Sequence, residues 1–163
     1  MRKLLLLLLI VGLILGAGAC KKGVTDSPDK QKVEKPAAGT PNAGLIDFIK
    51  KQKLVNYQST TIGNAFDSYS YLTKKEWKVE QQKSGPFTID FIGWFGSDAL
   101  KDEDIKKGVT GKGLDVMFVI EPNGSFYAFM ASILEARNDG KIYRNQLADT
   151  AGVLAKIYGN QKI

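Results

Sequence analysis

One cysteine and no histidine in 163 residues leave carboxylates, hydroxyls, lysines and tyrosines as the side chains available for chemistry. That composition removes His-based triads, Cys–His nucleophiles and the common zinc, copper and haem ligand sets together. Paired carboxylates are the next candidate. Asp90 lies in a strand-like run with Phe87, Ile89 and Phe91, and Glu76 or Glu80 faces it if the neighbouring run folds back as a hairpin. Two carboxyls close together on one sheet face suit acid–base hydrolysis. Alternating charges on a wet strand face are the commoner origin of that pattern. Ser84 beside Lys83, and Ser132 with no lysine near it in sequence, make no recognisable nucleophilic dyad. Asp98, Asp102, Glu103 and Asp104 cluster, but without the alternation, central glycine and terminal glutamate of a calcium loop. Gly108-x-x-Gly111-x-Gly113 precedes a strand instead of following one, so it is no phosphate loop. The expectation is a non-enzymatic chain with no cofactor and no metal.

Cys20 has a more specific context. Arg2 and Lys3, an apolar run from Leu4 to Leu15, and Gly16-Ala17-Gly18-Ala19-Cys20 read as an export signal over residues 1–19, cleaved to leave Cys20 first. Leu4 to Ala19 has sixteen residues, short of the roughly twenty that cross a bilayer. The segment resembles bacterial lipoprotein signals. The resemblance implies a diacylglyceryl group on the Cys20 sulfur, a further acyl chain such as palmitate on its amine, and attachment to the cell envelope. The family usually has leucine three residues before the cysteine, where this chain has Ala17. Ala17-x-Ala19 also fits ordinary secretory cleavage at the same bond, which would release a soluble protein with a free thiol. A lone cysteine at the predicted cut favours lipidation, and each buried methylene then contributes about 0.8 kcal/mol to anchoring. By analogy with envelope sorting, the absence of aspartate after Cys20 points to an outer membrane facing the periplasm.

Without residues 1–19 the chain has 144 residues, enough for one domain and a tail. Residues 20–43 hold prolines, charges and few large apolar side chains, which describes a flexible tether with a reach of roughly 25–30 Å. Residues 44–163 form the globular domain, with sixteen basic and fourteen acidic side chains interspersed. That balance and address argue against nucleic acid as a partner.

Within the domain, Leu45, Ile46, Phe48 and Ile49 have helical spacing before Lys50-Lys51. Thr60 or Thr61 caps a second helix whose stripe is Ile62, Ala65, Phe66 and Tyr69. Trp77 and Val79 alternate with charged residues, Ser84-Gly85-Pro86 turns, and Phe87 to Phe91 returns. A short helix capped by Ser97 is expected next, with Ala99, Leu100 and Ile105 inward and Gly108 ending it. Residues 115–121 predict a central strand, Asn123-Gly124 a tight hairpin turn, and residues 126–135 its partner. A last helix capped near Asn145 places Leu147, Ala151, Leu154 and Tyr158 on one face, with Gly159 after its end. The fold class is α+β, a two-layer sandwich with an antiparallel sheet of about four strands against two N-terminal helices and one C-terminal helix.

The run Thr60-Thr61-Ile62-Gly63-Asn64-Ala65-Phe66-Asp67, with strand tryptophan Trp77 and the strand from Phe87 to Gly93, resembles a domain of small bacterial envelope lipoproteins. It is similar to β-lactamase-inhibitor-like domains and to the small lipoprotein of the outer-membrane barrel-assembly machine, over roughly Leu45 to Tyr158. Those families bind proteins and catalyse nothing. The resemblance therefore implies a membrane-anchored module contacting another envelope protein, and Trp77, Trp94, Phe95 and Tyr127 are candidate contact residues. The alternative is a carrier of small apolar ligands, with a pocket between sheet and C-terminal helix lined by Phe118, Phe126, Phe129 and Tyr158.

Overall fold

A computed structural model describes residues 31–32, 42–80 and 85–163. The elements run β1 (Gln31–Lys32), α1 (Asn42–Lys51), α2 (Ile62–Ser68), β2 (Leu72–Glu80), β3 (Phe87–Phe95), α3 (Asp102–Lys106), β4 (Val109–Ile120), β5 (Ser125–Arg137), β6 (Ile142–Gln146) and α4 (Thr150–Tyr158). All strand pairs are antiparallel, and the sheet is five strands wide in the order β2-β3-β4-β5 followed by a shared edge. That edge of β5 pairs with β1 at Ser125–Phe126 and with β6 from Ser132 to Ala136. The α+β architecture matches the expectation, and the sheet is wider by the edge strand β6 while α3 adds a fourth, short helix.

One face of the sheet carries the core. Ile89 and Phe91 of β3, Leu114, Val116, Phe118 and Ile120 of β4, and Phe126, Ala128 and Ala131 of β5 join Leu45 and Ile49, Ile62, Ala65 and Phe66, and Val153, Leu154 and Ile157 from the helices. Phe66 sits at the centre, its ring 4.9 Å from Phe91, 5.4 Å from Phe118 and 5.8 Å from Trp77. Such edge-to-face and tilted pairs add about 0.5–1.5 kcal/mol each beyond area burial. Thr61 caps α2, its hydroxyl accepting from the Asn64 amide at 3.2 Å. Gly63 lets α1 approach: a methyl there would stand 2.8 Å from Lys50 Cβ and 2.9 Å from the Lys50 carbonyl oxygen.

Three local expectations need correction. Ser97 opens only a single 3₁₀ turn, and Ile105 is exposed. The buried member of α3 is Asp104, which accepts from the Lys101 amide at 3.0 Å and pairs with Lys112 at 2.6 Å. Asn145 lies in β6, and the cap of α4 is Asp149, whose carboxylate accepts from the Gly152 amide at 2.7 Å. The physical reason is that every residue of β6 is exposed, so no apolar alternation announces a strand there. Ala151 is exposed, and Val153 and Ile157 complete the buried face of α4 with Leu154.

Candidate contact face

Strand alternation sends the other half of the residues to the opposite face of the sheet. From β3 these are Thr88, Asp90, Ile92 and Trp94; from β4, Gly113, Asp115, Met117 and Val119; from β5, Tyr127, Met130, Ser132 and Leu134. None of them belongs to the helix-covered core. Met117 stands opposite Met130 in register, and both are half-buried, as are Trp94 and Tyr127. Trp94 is opposite Gly113, where an added methyl would come within 3.1 Å of the indole, so glycine is what lets the ring lie against β4.

The middle of this face is polar and buried. Asp90 is 0 % exposed, Asp115 1 % and Ser132 0 %. Arg144 reaches over from β6: its Nη2 lies 3.4 Å from Asp90 Oδ2 and its Nε 3.3 Å from Asp115 Oδ2. Ser132 is the register partner of Asp115. Two carboxylates against one guanidinium leave buried acceptors unmatched: Asp90 Oδ1, both Asp115 oxygens and Ser132 Oγ have no hydrogen-bond partner among the described residues, so Arg144 meets Asp115 as an ion pair without a hydrogen bond. Buried unpaired polar atoms are uncommon, and they cluster at sites of strain or function. Burial pushes the Asp90 carboxyl above its ordinary range, reinforced by Glu80 and opposed by Arg144. Burial pushes Asp115 further, to about 6, with Asp90 and Glu80 adding to the effect and Arg144 opposing it.

Of the two carboxylates expected beside Asp90, Glu80 does act on it, by charge and by a side-chain hydrogen bond, while Glu76 lies opposite Ile92. The register neighbours of Asp90 are Lys78 and Met117, Glu80 acts on it from the next β2 position on that face, and the second buried carboxyl is Asp115. A signal for Asp115 was present, because it interrupts an apolar strand run as Asp90 does. Arg144 carried no such signal once β6 was missed. Among the described residues, no group of three or more acidic or cysteine side chains is gathered as a metal site needs, and no helix is long and apolar enough to cross a membrane.

The four candidate contact residues divide between the two faces. Trp77 packs between Phe91 and Phe66 on the core side, and its indole N–H donates to Asp67 at 2.9 Å. Phe95 is also packed against the core. Trp94 and Tyr127 lie on the outer face, toward opposite ends. Cys20 lies outside the described residues, as does all of the expected tether except Gln31–Lys32 and α1's first residues. Of the aromatics suggested for a ligand pocket, Phe118 and Phe126 are fully buried, Tyr158 stacks on Tyr57 at 4.0 Å and borders a shallow depression between α2 and α4, and Phe129 borders an opening on the far side of α4. The opening at Phe129 is a groove of about 410 Å³ between β5, Leu147 and the start of α4.

No family model, no curated protein and no solved structure matches the chain.

Proposed function

We propose that the chain is a non-enzymatic interaction module of the bacterial cell envelope, held to a membrane, the outer one by the sorting analogy, through lipid on Cys20, and that it meets its protein partner with the outer face of the sheet. The observation that carries this reading is the composition of that face. Half-exposed Met117, Met130, Trp94 and Tyr127 surround a buried charged centre, and the three longer helices pack on the other side. Methionine adapts its shape to a partner surface, and aromatic residues concentrate at interface centres. A photo-crosslinking amino acid at Met130 in the native envelope tests it, with the same group at exposed Asp98 as control. A reproducible adduct from position 130 alone supports the reading; equal or absent adducts from both positions refute it. Mass spectrometry of the mature N-terminus tests the anchor, since acyl mass on Cys20 is required.

The groove beside α4 favours one second reading, a carrier for a small apolar ligand, because Leu54, Ala128, Leu147 and Leu154 line it beside exposed Phe129. A fatty acid retained in native mass spectra and lost on Leu147→Glu supports that reading.

A further inference from the structure

We infer that Arg144 is a proton-sensitive clamp: it fastens the edge strand β6 to the sheet at neutral pH by bridging Asp90 and Asp115, and releases that strand when Asp115 takes up a proton. The inference concerns regulation of the same outer face, so its bearing on partner binding rests on the reading above. The clamp itself does not.

The geometry supplies the reason. β6 buries almost nothing: all five of its residues are exposed, Ile142 by 56 % and Tyr143 by 37 %. Apolar burial therefore contributes little to holding it. What remains is its ladder to β5, the Tyr143 side chain at one end, where its ring lies 4.4 Å from the Arg137 guanidinium and its hydroxyl donates to Asp139 at 3.0 Å, and Arg144 at the centre. Arg144 is the tie that crosses from β6 over β5 to both β4 and β3. Both carboxylates are buried, so their attraction for the guanidinium is screened less than that of a surface pair. Losing one of two anionic partners weakens the tie, while the protonated carboxyl can donate to an acceptor that now lacks a donor, Ser132 Oγ or Asp90 Oδ1.

The charged and titratable groups facing Asp115 all bear on that step. Asp90 and Glu80 repel its charge from β3 and β2, Arg144 attracts it from β6, and Ser132 is its neutral neighbour on β5. Lys78 is the β2 residue opposite Asp90, and its ammonium is bound to Glu76 at 3.0 Å. Proton uptake near pH 6 is supported by the raised Asp115 carboxyl. The clamp and the fold respond in opposite directions: a proton on Asp115 relieves a buried charge while it loosens the edge.

Amide hydrogen exchange on the intact protein tests this, comparing pH 7.5 with pH 5.0 after correction for intrinsic exchange. Protection at Tyr143 to Leu147 is expected to fall roughly tenfold at pH 5.0, with Val116 and Phe118 unchanged or better protected. In Asp115→Asn, protection of β6 should be low at both pH values. Arg144→Gln, at an exposed edge position, supplies the same test if Asp115→Asn does not fold, and it too should give low, flat protection. Flat protection of β6 in the wild type, or a wild-type pH response in either variant, overturns the clamp. Failure of the contact reading would instead appear as missing crosslinks at Met130 with the exchange profile intact.

Discussion

Asp115→Asn should stabilise the protein at neutral pH and do so progressively less in acid. In the fold the Asp115 carboxyl holds its proton up to about pH 6, against 3.8 for the ordinary group. The native state thus binds more protons than the unfolded chain across that window, and stability must fall as pH rises through it. The group's contribution is fully present below pH 3.8 and lost above about 6. At about 1.4 kcal/mol per pH unit, the cost of carrying the ionised carboxylate is about 3 kcal/mol at pH 7.5. Asp115 is 1 % exposed, so water does little to screen that charge. Asparagine keeps the shape, has no charge to bury, and leaves Arg144 with Asp90 as a balanced pair. Urea denaturation followed by tryptophan fluorescence at pH 3.5, 5.0, 6.0 and 7.5 would measure the stability of each protein. The gap in favour of the variant should widen by about 3 kcal/mol from the lowest pH to the highest. A gap constant to within about 1 kcal/mol would show that the carboxyl titrates as an ordinary aspartate, and the buried-charge argument would fail.

Phe66→Ala should cost about 3–5 kcal/mol in the same assay, since it empties the point where rings from β2, β3 and β4 meet. Gly63→Ala places a methyl 2.9 Å from a backbone oxygen of α1, and should cost about 1–3 kcal/mol despite alanine's better helix propensity; a gain in stability would show that the two helices separate freely. Thr61→Ala removes the cap of α2 and should cost about 1 kcal/mol, with Thr61→Ser largely restoring it. Trp77→Phe removes the indole hydrogen bond to Asp67 at 2.9 Å while keeping a ring against Phe66, Phe91 and Phe118, and should cost about 1 kcal/mol in the same assay.

Elements whose burial leaves a periodic trace were readable from the chain itself. The stripe Ile62, Ala65, Phe66 and Tyr69, its threonine cap, the alternation around Phe87 to Phe91, and the Asn123-Gly124 turn each encode their conformation within a few residues, because local sterics and one apolar face suffice. Edges were harder. β4 begins six residues before the apolar run that announces it, and β6 has no apolar face at all, so only pairing with β5 makes it a strand.

The candidate site belongs to the second kind. Asp90, Asp115, Ser132 and Arg144 come from four strands, and the types of these residues say nothing of their meeting. Sequence determined that the chain has no histidine and a single cysteine, and it foreshadowed an α+β core built on Phe66 and its neighbours. Tertiary structure decided which tryptophan packs against the helix-covered core and which lies on the outer face, and that two buried carboxyls share one guanidinium. Those outcomes depend on strand register, which is set by long-range pairing and the total burial of one sheet face, a quantity that no local stretch of residues contains.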